Sequence, residues 1–471
     1  MGSTFAGIEI ARRALNATQG ALNVVGHNLA NVNTPGYSRQ TPVIVAAEPF
    51  AYDSAIWRAS PGQIGTGVDL KAIVRMRNAF VEQRLLLSDG ERGELQHMRD
   101  ILANIQSSYG EPSITGLSGL LTAFFNAFQE LSRDPESTAV RTLVREKGSL
   151  LAAQFRAVSD SLVQTRLDAQ RQLITVVEEA NSVAGQVAEL NAKIAQSVAA
   201  GENPNDLQDS RDALIRRLGE LVGAEIKPEL DGNGRQTGAV NVFVGGYSLV
   251  LGDRAQALPT DFAILQGEPY LTDGRENIPL RGGAAAGEVR GISLIEGYRN
   301  DLNTLAASLI SSVNQLHRAG YGLDGVNNRA FFAGSNAGDI AVHPAILADL
   351  SAIAAASPPP AGGNLASGNS DNARAIAAIV RQRLLQNQTL GEYYASSLAR
   401  IGSDARAVEE RSAHLDQVVQ QLQALRNSTS GVSIDEELTL MLQYQRSYQA
   451  AARMLTVMDE MLDRVINSLV R

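Results

Sequence analysis

Residues 21–40 read ALNVVGHNLANVNTPGYSRQ, and this stretch decides how the chain begins. Ile8, Ala11, Leu15, Thr18, Leu22, Val25, Leu29 and Val32 alternate in steps of three and four. That spacing predicts a helix with a heptad seam. Asn31 tolerates the left-handed conformation that ends helices. Pro35-Gly36 suits the two central positions of a type II turn. The helix should therefore stop near residue 31, and the chain should turn sharply through Asn33 to Tyr37.

The opposite end mirrors this pattern. Met441, Tyr444, Tyr448, Ala451, Leu455, Met458, Leu462, Val465 and Leu469 form a second seam over 434–469. Asn427-Ser428-Thr429-Ser430-Gly431 separates it from a preceding long helix over ~371–427. Both seams thus lie at the ends, each outside a helical middle and across a break. Several seam positions are Ala, Thr or Tyr, and one buried Leu-sized side chain gives only ~1.5–3 kcal/mol. Ordering the backbone costs ~1–2 kcal/mol per residue. Such ends should order when partners bury them.

Between the seams the pattern changes several times. Residues 38–75 alternate locally and carry Pro42, Pro49 and Pro61, so they read as extended. Helical patterning resumes near 76 and is interrupted at Ser132-Arg133-Asp134-Pro135, with Pro135 suited to the first position of a new helix. The helix over roughly 136–200 would be ~95 Å long. After Gly201-Glu202-Asn203-Pro204, Asn205 is a candidate N-cap with Gln208 completing a capping box. Residues 224–290 are rich in Gly and alternate through Val240, Val242 and Val244, which predicts strands. Helix returns after Gly291. Residues 320–370 are mixed, and Ala354–Asn369 reads as a low-complexity linker.

The fold class expected is mainly α with a β-rich insertion. It is an elongated multi-domain chain with a helical bundle or coiled coil built from both ends. The domains expected are 1–75 plus 432–471 for assembly, 76–223 plus 291–431 as a helical middle with a loop near 320–370, and 224–290 as an outer insertion.

Composition narrows the function. The chain has 471 residues and a net charge of −9. It has no cysteine, so thiol catalysis, disulfides and Cys-ligated metal centres are excluded. Lysine is scarce, 4 against 37 arginines. Charges of both signs interleave, and no basic stripe with aromatics suggests nucleic-acid binding. No run approaches a membrane-spanning helix, and residues 1–34 are amphipathic rather than a cleavable signal. His27, His97, His317, His343 and His414 lack local zinc-ligand spacing. Gly65-Thr66-Gly67 lacks the third glycine of a dinucleotide fingerprint. Asp231-Gly232-Asn233-Gly234 lacks the closing Glu of a calcium loop and reads as a hairpin turn. Glu178-Glu179, Glu409-Glu410 and Asp435-Glu436-Glu437 read as solvated helix faces, the last favourable at a helix start. No cofactor and no enzyme activity is expected. Four of the seven methionines, Met441, Met454, Met458 and Met461, fall in the last helix and suit an adaptable contact surface.

Ala21 through Gln40 resembles the N-terminal signature of bacterial flagellar axial proteins, the rod, hook and filament family. Val432 through Arg453 resembles the matching C-terminal signature. A middle dominated by long helices sets the chain apart from rod and hook members, and it resembles the hook-associated branch at the hook–filament junction. Residues 203–212, the glycines from Gly282 to Gly291, and Val313-Asn314-Gln315-Leu316-His317 also resemble that branch.

The resemblance implies flagellar type III export without cleavage, to an extracellular place in the flagellum. It implies pairing of the terminal helices and a structural role joining hook to filament. The implied partners are the hook protein, the next junction protein, identical subunits in a ring, and an export chaperone on the C-terminal helix. The residues expected at the assembly interface are Ile8, Leu15, Leu22, Val25, Leu29, Asn31, Asn33, Pro35, Gly36 and Tyr37 at one end. At the other they are Met441, Tyr444, Tyr448, Leu455, Met458, Leu462, Val465 and Leu469. A hook or rod subunit, a flagellum-borne cell-wall hydrolase using unplaced carboxylates, and a secreted adhesin are the alternatives.

Overall fold

The computed structural model describes residues 4–49, 65–110, 116–358 and 368–469. The chain is mainly helical, with long helices at both ends and a strand-rich stretch between. It divides into two compact units. The first holds Met1–Glu91, Glu179–Leu258 and Leu415–Arg471; the second holds Arg92–Glu178 and Pro259–His414.

In the first unit, α1 (Thr4–Ala30) leads through a turn into an antiparallel pair, β1 (Gln40–Ala46) and β2 (Val68–Arg75). The turn forms as its residues require. Tyr37 N–H donates to Thr34 O at 3.2 Å, and Gly36 takes φ +84°, a conformation costly for other residues. Helix α2 (Ala79–Tyr109) opens on Asn78, whose Oδ1 accepts from the amides of Phe80 and Val81. The second unit begins within α2 and contains α3 (Leu117–Leu131).

Helix α4 (Thr138–Ala199) is 62 residues long, as its periodicity predicts. Its start differs from expectation. Pro135 precedes the helix, and Ser137 accepts the amides of Val140 and Arg141 instead. Helix α5 (Asn205–Val222) also corrects the sequence reading. Asn205 is its first residue, not its cap. Its side chain is drawn away to Gln40 Oε1 at 3.2 Å and Ile73 O at 3.0 Å. Tertiary partners outbid the local capping box.

The strand-rich stretch is two sheets, one in each unit. In the first unit, β3 (Glu225–Leu230), β4 (Gln236–Val244), β5 (Tyr247–Leu251) and β6 (Arg254–Ala255) form a four-stranded antiparallel meander. Asn191 of α4 pins it: Nδ2 donates to Val240 O and Gly252 O, each at 2.7 Å. In the second unit, β7 (Asp261–Leu265), β8 (Glu268–Thr272) and β9 (Asn277–Pro279) form a three-stranded sheet.

Helix α6 (Gly283–Ala319) starts eight residues before the expected Gly291. Gly287 and Gly291 let it lie against α2. A Cβ on Gly287 would sit 2.5 Å from the backbone oxygen of Glu94. Beyond α6 come the short pair β10 (Phe332–Ala333) and β11 (Ala341–Val342), then α7 (Pro344–Ala348). Phe124, Phe125, Phe128, Phe331 and Phe332 are all buried here, with ring centroids 4.9–5.5 Å apart in the contacting pairs. The linker expected over Ala354–Asn369 lies mostly outside the described residues. Its first part is no linker, because Ala354 and Ala355 are buried.

The single helix expected over 371–427 is two. Helix α8 (Asp371–Ala378) ends in a 3-10 turn, and α9 (Leu390–Ser430) begins after a tight turn with positive φ at Gln386 and Asn387. Thr389 and Glu392 form a reciprocal capping box at the start of α9. At its other end α9 continues through Ser430, so only residues 431–433 separate it from α10 (Ile434–Leu469).

Candidate assembly interface

In the first unit, α1 packs on α10 and on the β1–β2 pair. Two contacts fix its sense against α10. Asn28 Nδ2 donates to Glu437 Oε2 at 3.1 Å, and a Cβ on Gly7 would meet Met458 Cε at 2.8 Å. As one position falls by 21 (28 to 7), the other rises by 21 (437 to 458), so the helices run antiparallel and in register. That span is about 32 Å, three heptads.

The deepest positions on α1 differ from a leucine seam. Ala11, Ala17, Thr18, Ala21, Val24, Val25 and Asn28 are buried, whereas Ile8, Leu15, Leu22 and Leu29 are half-buried. Small side chains at the deepest places let the neighbouring elements approach closely. Of the turn residues, Asn31, Gly36 and Tyr37 are half-buried, and Asn33 and Pro35 are exposed. On α10, Met441, Tyr444, Leu455, Met458 and Leu462 are half-buried, while Tyr448 and Val465 are exposed. Leu469 ends the helix, and its side chain lies outside the described residues. Among the described side chains of α10, Ala451 and Glu437 are buried. Ile434, Leu438, Leu442, Val457, Met461 and Ile466 are exposed, so α10 keeps apolar surface that α1 does not cover.

Asn28 is the polar centre of this region. Its Nδ2 donates to Gln40 O (2.9 Å) as well as to Glu437, and its Oδ1 accepts from Tyr37 Oη (2.7 Å) and the Gln40 amide (2.9 Å). Glu437 is 1% exposed and receives Arg39 Nε at 2.7 Å; Arg39 also reaches Glu436 at 2.9 Å. One carboxylate thus ties the first turn of α10 to α1 and to the chain entering β1. Burial, then the carboxylates of Asp206, Asp209 and Glu437, push the Tyr37 hydroxyl well above its ordinary pKa. It therefore stays a donor to Asn28.

Helix α5 anchors the other side. Asp209 accepts the Ser38 amide (2.8 Å) and Arg75 Nη1 (2.7 Å), and Arg75 also reaches Asp212 (2.8 Å). Asp206 accepts from Gln40 Nε2 at 2.8 Å and faces His27 Nε2 at 3.2 Å. Arg77 binds Asp212, and Arg426 of α9 binds Glu82 at 2.9 Å and Gly36 O at 3.3 Å. Burial alone would lower Arg75, but Asp212 and Asp209 outweigh it and its pKa is raised. A cleft of ≈ 350 Å³ lies beside Pro35 and Gly36, lined by Arg77, Glu82, Asp209 and Asp212 among others. Its acids are paired with guanidinium groups, an arrangement that holds segments together. Among the described residues no three His, Asp or Glu are placed to hold a metal ion, and no helix is long and apolar enough to cross a membrane.

Sequence reasoning missed this hub. Glu437 was read with Asp435 and Glu436 as a solvated helix start, yet it is buried. The available signal was phase: Glu437 sits four residues before Met441, in line with the seam. Asn28 likewise falls one heptad after Ala21.

Comparison with known proteins decides the family. Aligned over 100% of this chain and 99% of the relative, flagellar hook-associated protein 1 of Bacillus subtilis is 30% identical. The chain belongs to the flagellar hook-associated protein 1 (FlgK) family. The Escherichia coli protein of the same name is 26% identical over 98% of this chain and 99% of its own length. The family model for the FlgK helical domain matches residues 102–332. The models for the flagella basal body rod protein and for the C-terminal part of basal body rod FlgEFG proteins match 8–37 and 423–469. These last two cover α1 with its turn and α10. The solved structure of the flagellar hook junction protein FlgK from Burkholderia pseudomallei is 17% identical. It superposes with a TM-score of 0.62 over 74% of this chain and all of that one, a likeness of fold. Members of this family are flagellar components, which agrees with the flagellar resemblance carried by the two terminal signatures.

Proposed function

We propose that this chain is a structural subunit of the hook–filament junction, joined to its neighbours through residues 1–75 and 432–471. The observation that carries this reading is the antiparallel α1–α10 pair, whose second helix keeps apolar side chains uncovered. Several exposed large apolar side chains along a terminal helix favour burial against other chains. The seam residues on α1 and α10 and the turn Asn31–Tyr37 form the assembly surface. Its partners are the hook protein, the next junction protein and identical subunits. An export chaperone holds α10 beforehand, and the chain leaves by flagellar type III export, uncleaved. The role is architectural and not catalytic, in keeping with the paired acids beside the turn.

Leu455→Asp tests the reading. It should leave cells without attached filaments while the second unit keeps its helical circular dichroism. Wholesale loss of helical signal would place α10 in the main core and sink the proposal. Immunogold labelling of isolated flagella, with antibody to residues 140–420, should give a narrow band between hook and filament. Label along the hook or rod would make the chain a hook or rod subunit instead.

A further inference from the structure

His317 lies in the last turn of α6 and is fully buried. Both of its ring nitrogens are committed to backbone. Nδ1 is 2.7 Å from the carbonyl of Arg329, which can only accept, so Nδ1 carries the proton. Nε2 then has a lone pair, and it accepts the amide of Ala354 at 3.0 Å. One turn earlier, Asn314 donates to Phe332 O (2.8 Å) and accepts the amides of Phe331 and Phe332 (2.8 and 2.9 Å). Two side chains on one face of α6 thus hold the segment 321–356 along its length. Its ends are closed by Tyr321 and Ala356, which exchange backbone hydrogen bonds at 2.9 and 3.2 Å.

The surroundings disfavour a charged imidazole. The groups that act on it are cationic or can become so: Arg329 on the held segment, His343 ahead of α7, and Arg141 in the first turn of α4. Arg141 is itself buried and donates to the carbonyls of Pro135, Leu350 and Ile353. The nearby acids are engaged elsewhere. Asp324 pairs with Arg329, and Asp349 accepts from Ser351. On α8, Asn372 donates to Ala354 O, and the Asp371–Arg374 pair is exposed. Burial above all outweighs the hydrogen bond to the Arg329 carbonyl, which favours the charged form, and with those cations lowers the His317 pKa from 6.5 to about 4.

We propose that His317 is an acid-released latch on the segment 321–356. A proton from solvent binds at Nε2, so the acceptor of the Ala354 amide becomes a second donor facing it. The hydrogen bond is lost, and a cation is left in a site lined by arginines. The segment then parts from α6, and Phe331 and Phe332 are withdrawn from Phe124 and Phe128. The latch lies in the second unit and needs nothing from the terminal helices.

Pulsed hydrogen–deuterium exchange on the full chain, corrected for the intrinsic pH dependence of amide exchange, tests this. Opening of 321–356 should rise about tenfold per pH unit from about pH 6.5 down to about pH 4, while peptides from 150–178 in α4 stay protected. His317→Gln, which cannot titrate, should abolish that slope. An unchanged slope in the variant overturns the latch, as does opening of 321–356 only together with α4. Should the variant fail to fold, carbon-13 histidine spectra of the unaltered chain decide. The latch requires one of the five imidazoles to remain the Nδ1–H tautomer until the segment opens. Five imidazoles that titrate together near the ordinary value overturn it.

Discussion

Asn28 has two amide hydrogens and one carbonyl oxygen, and the fold employs all of them inside a buried site. A satisfied buried amide contributes modestly, but removing it leaves the Gln40 amide and carbonyl without their side-chain partner, at ~1 kcal/mol or more each. Asn28→Ala should therefore lower the stability of the first unit by about 2–3 kcal/mol, read from its urea midpoint. Asn28→Asp should cost at least as much, because a carboxylate would then face Glu437 at the 3.1 Å now spanned by a hydrogen bond. Adding Glu437→Gln to Asn28→Asp should recover part of that loss. If the double variant is no better than the single, the Asn28–Glu437 contact is incidental.

At the scale of elements, the α2–α6 approach in the second unit discriminates between two glycines. A Cβ at Gly287 meets backbone, the oxygen of Glu94 at 2.5 Å, which cannot turn aside. A Cβ at Gly291 meets side-chain atoms instead, Cδ1 and both γ carbons of Ile101, which can shift more readily than backbone. Alanine gains ~1 kcal/mol over glycine in a helix, and overpacking costs ~1–3 kcal/mol. Gly291→Ala should come out near neutral and Gly287→Ala about 2 kcal/mol destabilised, measured by thermal melts. Equal effects would show that the helices separate freely.

What was legible in the sequence follows from the same contrast between local and distant causes. The terminal helices, the Pro35-Gly36 turn and the 62-residue α4 rest on periodicity and local turn chemistry, and they stand where the spacing put them. The break before α9 was legible too, in Thr389-x-x-Glu392, although one helix is expected across 371–427. Asn205 carried a false signal, since its cap geometry lost to Gln40 and Ile73, partners 165 and 132 residues away. On α1 the seam positions Ala11, Thr18 and Val25 are buried, and Ala17, Ala21, Val24 and Asn28 lie equally deep beside them. Close approach selects Ala21 and Asn28 over the larger Leu22 and Leu29, and no count of apolar residues reveals that.

For the whole molecule, acid should act before neutral or alkaline pH does. His317 takes its proton at about 4 when folded and near 6.5 when unfolded. The folded state thus binds fewer protons between those values, so stability falls as pH drops from 6.5 and levels off below 4. The loss should be on the order of 3 kcal/mol, at ~1.4 kcal/mol per unit. Urea midpoints measured at pH 7 and about pH 4.5 should differ more in the parent chain than in His317→Gln. Equal differences would mean that other groups govern acid stability.

The α1–α10 pair joins residues 409 apart in the chain, Asn28 to Glu437. Closing so long a loop is entropically costly, and it is impossible until both ends exist in the same compartment. Whenever the chain is delivered end first, by a ribosome or through a channel, the helix that arrives early must wait for the one that arrives last. Pairing of α1 with α10 therefore reports that both helices have been delivered. A truncated chain, however well folded in its second unit, cannot give that report.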